Sequence, residues 1–214
     1  LGEGEMVALL GLNASGKTTL LRAICGLIPL KGGDCLINGG GYLQSDERRR
    51  ARLISYLPQR HSRLYDLSVM DVVLMGFNPH ISLLASPGKR EREASLEALD
   101  HLGMKDHAGE DFSLLSEGQK QLVLLARALV QDTGLLLLDE PDSALDYPNR
   151  HRVLSLLRNL LKEDGRSALI TLHDPNFALA YCDKLLMLRD GLIVRDQAVS
   201  GSGVGELRDC LSLV

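Results

Sequence analysis

Nine residues near the start of the chain, GLNASGKTT at 11–19, carry the spacing G-x-x-x-x-G-K-[ST] through Gly11, Gly16, Lys17 and Thr18. Glycines let such a loop fold tightly enough for backbone N–H groups to converge on phosphate oxygens, and a helix beginning at its end adds partial positive charge. The Lys17 ammonium supplies a point charge for β- and γ-phosphates, and the Thr18 hydroxyl a ligand for Mg²⁺. Chance produces this pattern in fewer than about one chain of this length in a hundred, judged from average residue usage. Farther along, LLLLDEP at 135–141 is an apolar run closed by two acids. Ligands of open α/β sheets gather at the carboxyl ends of strands. Asp139 is therefore placed to hold Mg²⁺, directly or through water, and Glu140 to orient and polarise an attacking water. A kinase would need a base at an acceptor site, and a GTPase a guanine-reading N-K-x-D, which is absent. Triphosphate hydrolysis by water is the chemistry expected.

A third stretch, LLSEGQKQ at 114–121, reads first as a helix start, with Ser116 capping the first turn and Gln119 reaching back to the cap N–H. Gly118 fits a plain cap badly, because it weakens the helix where the apolar stripe Leu122, Leu125, Ala126, Leu129 begins. An anion resting on this helix start would explain it.

These segments must be positioned by a sheet, and short apolar runs alternating with helical patterns indicate an α/β fold. Strands are expected at 6–10, 53–57, 135–139, 168–171 and 184–188, the last entering a hairpin through Asp190-Gly191 into 192–194. Helices are expected at 17–27, 69–76, 89–102, 118–131, 149–162 and 175–181. From about Asp66 to Gln131 no strand pattern occurs, so a helical subdomain (66–131) is expected to interrupt a core made of 1–65 and 132–214 within one domain.

A chain of 214 residues, 45% hydrophobic and 24% charged, is large enough for a substantial core. Its net charge of -4 gives no general attraction to nucleic acid, and the short basic run Arg48, Arg49, Arg50, Arg52 reads as a solvated helix face. Cys25, Cys35, Cys182 and Cys210 show neither C-x-x-C spacing nor clustering with histidine, which points to a reducing compartment with no zinc site. No apolar run reaches the ~20 residues that span a bilayer. The GSGVG at 201–205 is a short loop signal.

Taken in order, these motifs resemble the ATP-binding cassette family, the ATPase subunits of ABC transporters, over essentially the whole chain. The resemblance implies a P-loop NTPase (RecA-like) core with a mostly parallel sheet, ATP and Mg²⁺ as ligands, and ATP hydrolysis coupled to transport. It implies that Gln59, in YLPQ at 56–59, is the Q-loop glutamine near Mg²⁺ and the attacking water, that LSEGQ at 115–119 is the signature, that SALD at 143–146 is the D-loop, and that His173 in TLHD contacts the γ-phosphate. Nucleotide would be held by Gly11, Asn13, Ala14, Ser15, Gly16, Lys17, Thr18, Thr19 and Asp146 and, across a head-to-tail dimer, by the signature residues Ser116, Gly118 and Gln119 of a second copy. Thr18, Gln59 and Asp139 would serve the metal, and Glu140, His173 and Gln59 the reaction. Ser116 and the Gly118 backbone would donate to the partner's γ-phosphate, glycine being needed for close approach. Departures from the family pattern are Glu117 and Ala14, each where glycine is common, and Asp142, where threonine is common.

Only ten residues precede Gly11. Relatives place a short antiparallel sheet and an adenine-stacking aromatic there, so missing N-terminal sequence, weak nucleotide affinity and an exposed apolar edge are expected. The segment SVMDVVLMGFNPHISLL at 68–84 resembles the importer branch for iron–siderophores, haem and cobalamin, whose G-R-x-P-H element is matched by Gly76, Pro79 and His80 with Phe77 in place of arginine. The partners implied are membrane permease subunits on the cytoplasmic face of the membrane and, indirectly, a substrate-binding protein, without nucleic acid. The alternatives are a soluble non-transport ABC protein and a truncated binding module without activity.

Overall fold

The computed structural model describes residues 1–59, 66–82 and 85–199. Cys210 and the glycine-rich 201–205 lie outside them. Six strands form one sheet in the order β4-β5-β6-β1-β7-β8: β1 (Met6–Leu10), β4 (Ile54–Leu57), β5 (Leu135–Asp139), β6 (Ser167–Thr171), β7 (Lys184–Arg189) and β8 (Leu192–Ala198). All adjacent pairs are parallel except β7 with β8. The parallel strands are apolar runs because both faces are covered. Along β1, Met6, Ala8 and Leu10 enter one core layer with Leu136, Leu138 and the helices of 69–130. Val7 and Leu9 enter the other, with Leu21, Leu137, Leu169 and Leu188. The strand period of two thus divides one short run between two cores.

The P-loop NTPase architecture expected from the sequence is present. The β7–β8 hairpin turns through Asp190 (φ 50°) and Gly191 (φ 79°), the two left-handed residues of a type I′ turn. Leu192, Ile193 and Val194 make an exposed apolar stretch on this edge strand. A two-stranded sheet, β2 (Leu36–Ile37) with β3 (Gly40–Gly41), and the five-residue α2 (Glu47–Ala51) follow α1 (Lys17–Ile24). Strands of two residues leave no alternation to read.

Between β4 and β5 come α3 (Val69–Leu74), a 3₁₀ turn at Met75–Phe77, α4 (Lys89–His101) and α5 (Glu117–Val130). Among the described residues this stretch contributes no strand beyond a single bridge between Ser68 and Asp111. α3 tightens before Gly76 because that residue lies against α5: a Cβ there would sit 2.4 Å from the Arg127 carbonyl oxygen. Two further helices, α6 (Tyr147–Asp164) and α7 (Pro175–Tyr181), each follow an aspartate cap and carry proline in the first turn.

The basic run of α2 is solvent-accessible, as its composition suggests, with Arg49 and Arg52 exposed, and three of its arginines also bond backbone carbonyls. Arg48 Nε and Arg52 Nε both donate to the Pro79 carbonyl, at 3.0 and 2.8 Å, and Arg50 Nη1 donates to that of Leu43 at 3.3 Å. Arginine's fixed fork of donors suits it to collecting carbonyls that a turn leaves open.

Candidate active site

β1 delivers the loop 11–16 to the head of α1, with the backbone conformation that a phosphate cradle requires. Gly16 is left-handed (φ 104°), and a Cβ on Gly11 would fall 2.4 Å from the Leu188 carbonyl oxygen. Ala14 also adopts a left-handed φ of 64°, so alanine occupies a backbone position that glycine fills at lower cost. Lys17 is buried, and its ammonium donates to the carbonyls of Gly11 at 2.8 Å and Leu12 at 3.1 Å. That pair of bonds curls the loop around the lysine. Thr18 follows on the first turn of α1, partly exposed, while Asn13 and Thr19 face solvent.

The ends of β4, β5 and β6 carry the acid cluster. Asp139 closes β5 fully buried; Oδ1 accepts from the Thr171 hydroxyl at 2.8 Å, and Oδ2 has no hydrogen-bond partner. An unshared buried carboxylate oxygen is a donor suited to a hard divalent cation, which takes oxygen ligands and retains water and substrate phosphates. The residues present therefore fit Mg²⁺, which Asp139 and the Thr18 hydroxyl would hold.

Glu140 stands next to it in a left-handed conformation, φ 52°. Its N–H donates to Thr171 Oγ1 at 2.7 Å, and its carbonyl accepts from Ser143 Oγ at 3.1 Å and Gln121 Nε2 at 3.4 Å. Its carboxylate is held from two sides. Gln59 Nε2 donates to Oε2 at 2.5 Å, and His173 Nε2 lies 2.8 Å from Oε1. Glu140 is 8% exposed at the side chain and His173 50%, so the cluster is buried behind and open in front. The expected trio of Gln59, Glu140 and His173 is thus gathered by three strand ends. Such a carboxylate can accept a proton from, and orient, a water that enters from the open side.

Two neighbours were not legible as site residues. The motifs assign Thr171 no role, and only its place at the end of β6 lets it bond both acids. Asp142 is buried, with Oδ1 unpaired; burial pushes its carboxyl upward, opposed by Arg150.

The signature start is as expected in local form and separate in its bonding. Ser116 Oγ accepts from Gln119 N at 3.3 Å, and Gln119 Oε1 accepts from Ser116 N at 3.0 Å, a reciprocal cap. Ser116 is exposed; its hydroxyl and N–H bond Gln119, and its carbonyl accepts from Lys120 N at 2.9 Å. Gly118 has a reason inside the chain: a Cβ there would lie 2.9 Å from the Ala144 carbonyl oxygen. Close approach to the neighbouring loop 143–146 is thus one reason for glycine here, beside the approach to a second copy's nucleotide that the resemblance implies. Asp146 ends that loop as the cap of α6, accepting from Asn149 N at 3.0 Å.

A family model described as ABC transporter matches residues 1–143. The zinc transport system ATP-binding protein TroB of Treponema pallidum is 40% identical over 200 residues, 92% of this chain and 73% of that protein. A solved structure described as a metal-chelate type ABC transporter in an inward-facing conformation is similar with a TM-score of 0.82 at 33% identity, over 99% of this chain and 79% of that one. The dimeric MJ0796 cassette, in a post-hydrolysis state bound to ADP and Pi, gives 0.84 at 29% identity over 94% and 88%.

Proposed function

This chain belongs to the ATP-binding subunits of ABC transporters, which hydrolyse ATP, and from that premise we propose that it drives an importer through the residues assembled around Glu140. The observation that carries this reading is the gathering of Gln59, Glu140 and His173 at the ends of three adjacent parallel strands, beside the strand that feeds the phosphate loop. Lys17 and the loop N–H groups bind the triphosphate, and Glu140 takes the proton of the attacking water. Mg²⁺, held by Thr18 and Asp139 with Gln59 nearby, supplies charge neutralisation at the phosphates. In the arrangement described, both Glu140 oxygens are engaged by Gln59 and His173. Each oxygen keeps a further lone pair, so a water can bind from the open side while the γ-phosphate enters between Gln59 and His173.

The second half of the site comes from another copy. Ser116, Gly118 and Gln119 lie outside the Glu140 carboxylate's hydrogen bonds, and the reciprocal cap at Ser116 leaves a helix N-terminus facing solvent. A head-to-tail dimer with ATP between Lys17 of one copy and Ser116 of the other uses both surfaces, and the dimeric MJ0796 cassette supports it. The helical stretch 66–131 acts as a subdomain inserted in the core of 1–65 and 132–214. Membrane permease subunits on the cytoplasmic face are the partners we infer, with a substrate-binding protein beyond them. Among the described residues no helix is long and apolar enough to cross a membrane.

The cargo we infer is of the iron–siderophore, haem or cobalamin type, supported by the metal-chelate type neighbour. The match at Gly76, Pro79 and His80 adds less, because each has a local duty. Gly76 packs on α5, the Pro79 carbonyl accepts from Arg48 and Arg52, and His80 Nε2 lies 2.9 Å from the Gln131 carbonyl oxygen.

Glu140→Gln tests the reading directly. Hydrolysis should fall by roughly 10²–10⁴, the usual contribution of a general base, while ATP binding persists and an ATP-dependent dimer accumulates. Hydrolysis by the variant at the wild-type rate would overturn the assignment of Glu140.

A further inference from the structure

Glu140 holds a backbone conformation that costs a non-glycine residue free energy, and such conformations persist only where their surroundings fix them. Three side chains hold this one, Ser143 Oγ from within the same loop and two from other elements. Thr171 Oγ1 takes the Glu140 N–H from the sheet side, and Gln121 Nε2 donates to the Glu140 carbonyl from the other. Thr171 belongs to β6, within the same sheet. Gln121 belongs to α5, the helix whose first turn is Ser116–Gln119, and it is 3% exposed in a helix otherwise buried through aliphatic side chains. A buried amide on such a face needs a partner. The partner it has is the main chain of the residue proposed to activate water.

A second contact runs between the same two segments. One turn before Gln121, Gly118 lies so near Ala144 that a Cβ would meet the carbonyl oxygen at 2.9 Å. Ser143 Oγ, between them, donates to the same Glu140 carbonyl at 3.1 Å. The start of α5 and the stretch 140–144 are therefore joined at two levels, and a shift of one moves the other.

We infer that Gln121 is a positioning residue that makes the hydrolytic competence of Glu140 depend on the placement of α5. The inference rests on the two-copy reading above. In that arrangement α5 of one chain touches the ATP held by its partner, whereas Glu140 of the same chain serves its own ATP. Gln121 then passes occupancy at one site to the catalytic carboxylate of the other, so that the two ATP molecules are hydrolysed cooperatively. The Ser116 cap and the Gln121 amide lie five residues apart on one rigid helix, about 7–8 Å along its axis. Displacement at the cap reaches the amide almost undiminished.

Gln121→Met keeps the length and apolar packing of the side chain and removes the donor. Measured on the full chain with ATP and Mg²⁺, turnover should fall about tenfold, the worth of one positioning hydrogen bond. The Kd for ATP should stay within twofold, and the Hill coefficient for ATP should drop from above 1 to 1. Gln121→Leu, which also removes the donor and keeps an apolar side chain, should do the same, and stands in if the methionine variant does not fold. A thermal midpoint near that of the wild type separates positioning from loss of fold. An unchanged Hill coefficient in either folded variant overturns the inference, even if turnover falls. A wild-type Hill coefficient of 1 with no ATP-dependent dimer overturns the two-copy reading itself, and that result is read without the variants.

Discussion

The Glu140 cluster and the start of α5 are built from similar parts and end in opposite conditions. Around Glu140, the amides of Gln59 and Gln121 and the Thr171–His173 pair reach in from three other segments, with the Ser143 hydroxyl joining from the same loop. At Ser116 the cap closes on itself, with donor and acceptor three residues apart, and the side chain beside it, Leu114, is 81% exposed. The first region owes its order to long-range contacts and contains its own reaction partners. The second is ordered locally and directs its ligand-binding capacity outward. A helix N-terminus satisfied by a neutral cap retains free N–H groups and partial positive charge, so its charge partner must arrive from outside. The comparison thus accords with the proposed shared site, in which one chain would bring the chemistry and another the closing surface.

The largest effect that separates these regions is expected from Ser116→Glu. A carboxylate at the cap still accepts from the helix N–H groups, so the fold and the binding of ATP to an isolated chain should be nearly unaltered. It would meet an incoming γ-phosphate as a like charge in a site that excludes water. Turnover should therefore fall by about 10² or more, with the monomer's Kd for ATP unchanged by calorimetry. Full turnover in this variant would break the comparison, since the outward-facing helix start would then have no part in hydrolysis.

Local sequence carried the first half of this picture and little of the second. The phosphate loop was legible because glycine positions, a lysine and a flanking apolar run are contiguous, and β1 and α1 fall where that context requires. LLLLDEP was legible for the same reason, as a strand covered on both faces that ends in acids. Thr171, Gln121 and Asp142 were not, because each acquires its role from a segment distant in the chain. The bonds of Arg48 and Arg52 were not legible, since their acceptor, the Pro79 carbonyl, is supplied by a turn some thirty residues on. Gly118 called attention to itself, and the Ala144 carbonyl that crowds it could not be foreseen from spacing.

An intermediate effect is expected where the two regions meet. Asp142 lies three residues after Asp139 and is buried with one oxygen unpaired, and burial raises its carboxyl above the ordinary range, with Arg150 and His173 pulling it partly back. A carboxyl raised on folding contributes stability in full below its unfolded value near 3.8 and loses it as pH rises through the folded value. At pH 7 the charged form is thus a liability. Asp142→Asn should raise the thermal midpoint there by roughly 2–4 °C, the equivalent of about 1 kcal/mol in a chain of this size. The gain should shrink as the pH is lowered toward 4. A variant that melts below the wild type at pH 7 would mean that the carboxylate is used as a charge, and the junction would have to be counted with the catalytic cluster.

The smallest effect concerns Glu117, whose negative charge sits beside the proposed phosphate surface. Its Oε1 lies 2.9 Å from Lys120 Nζ, one turn farther along α5, with the glutamate side chain 72% exposed and the lysine 18%. The carboxylate is drawn along the helix and its charge is offset where it rests. At the first helical position it also complements the helix dipole, a contribution of about 0.3–1 kcal/mol. Glu117→Gly exchanges that contribution for a more flexible first turn and releases Lys120 toward the site. These changes oppose one another for turnover, since loss of a negative charge favours phosphate approach and loss of helix order disfavours it. Steady-state turnover should therefore change by less than tenfold, and the thermal midpoint should drop slightly. A rise of tenfold or more would show that the glutamate obstructs nucleotide in the wild type, and would make the outward-facing region a brake on the catalytic one.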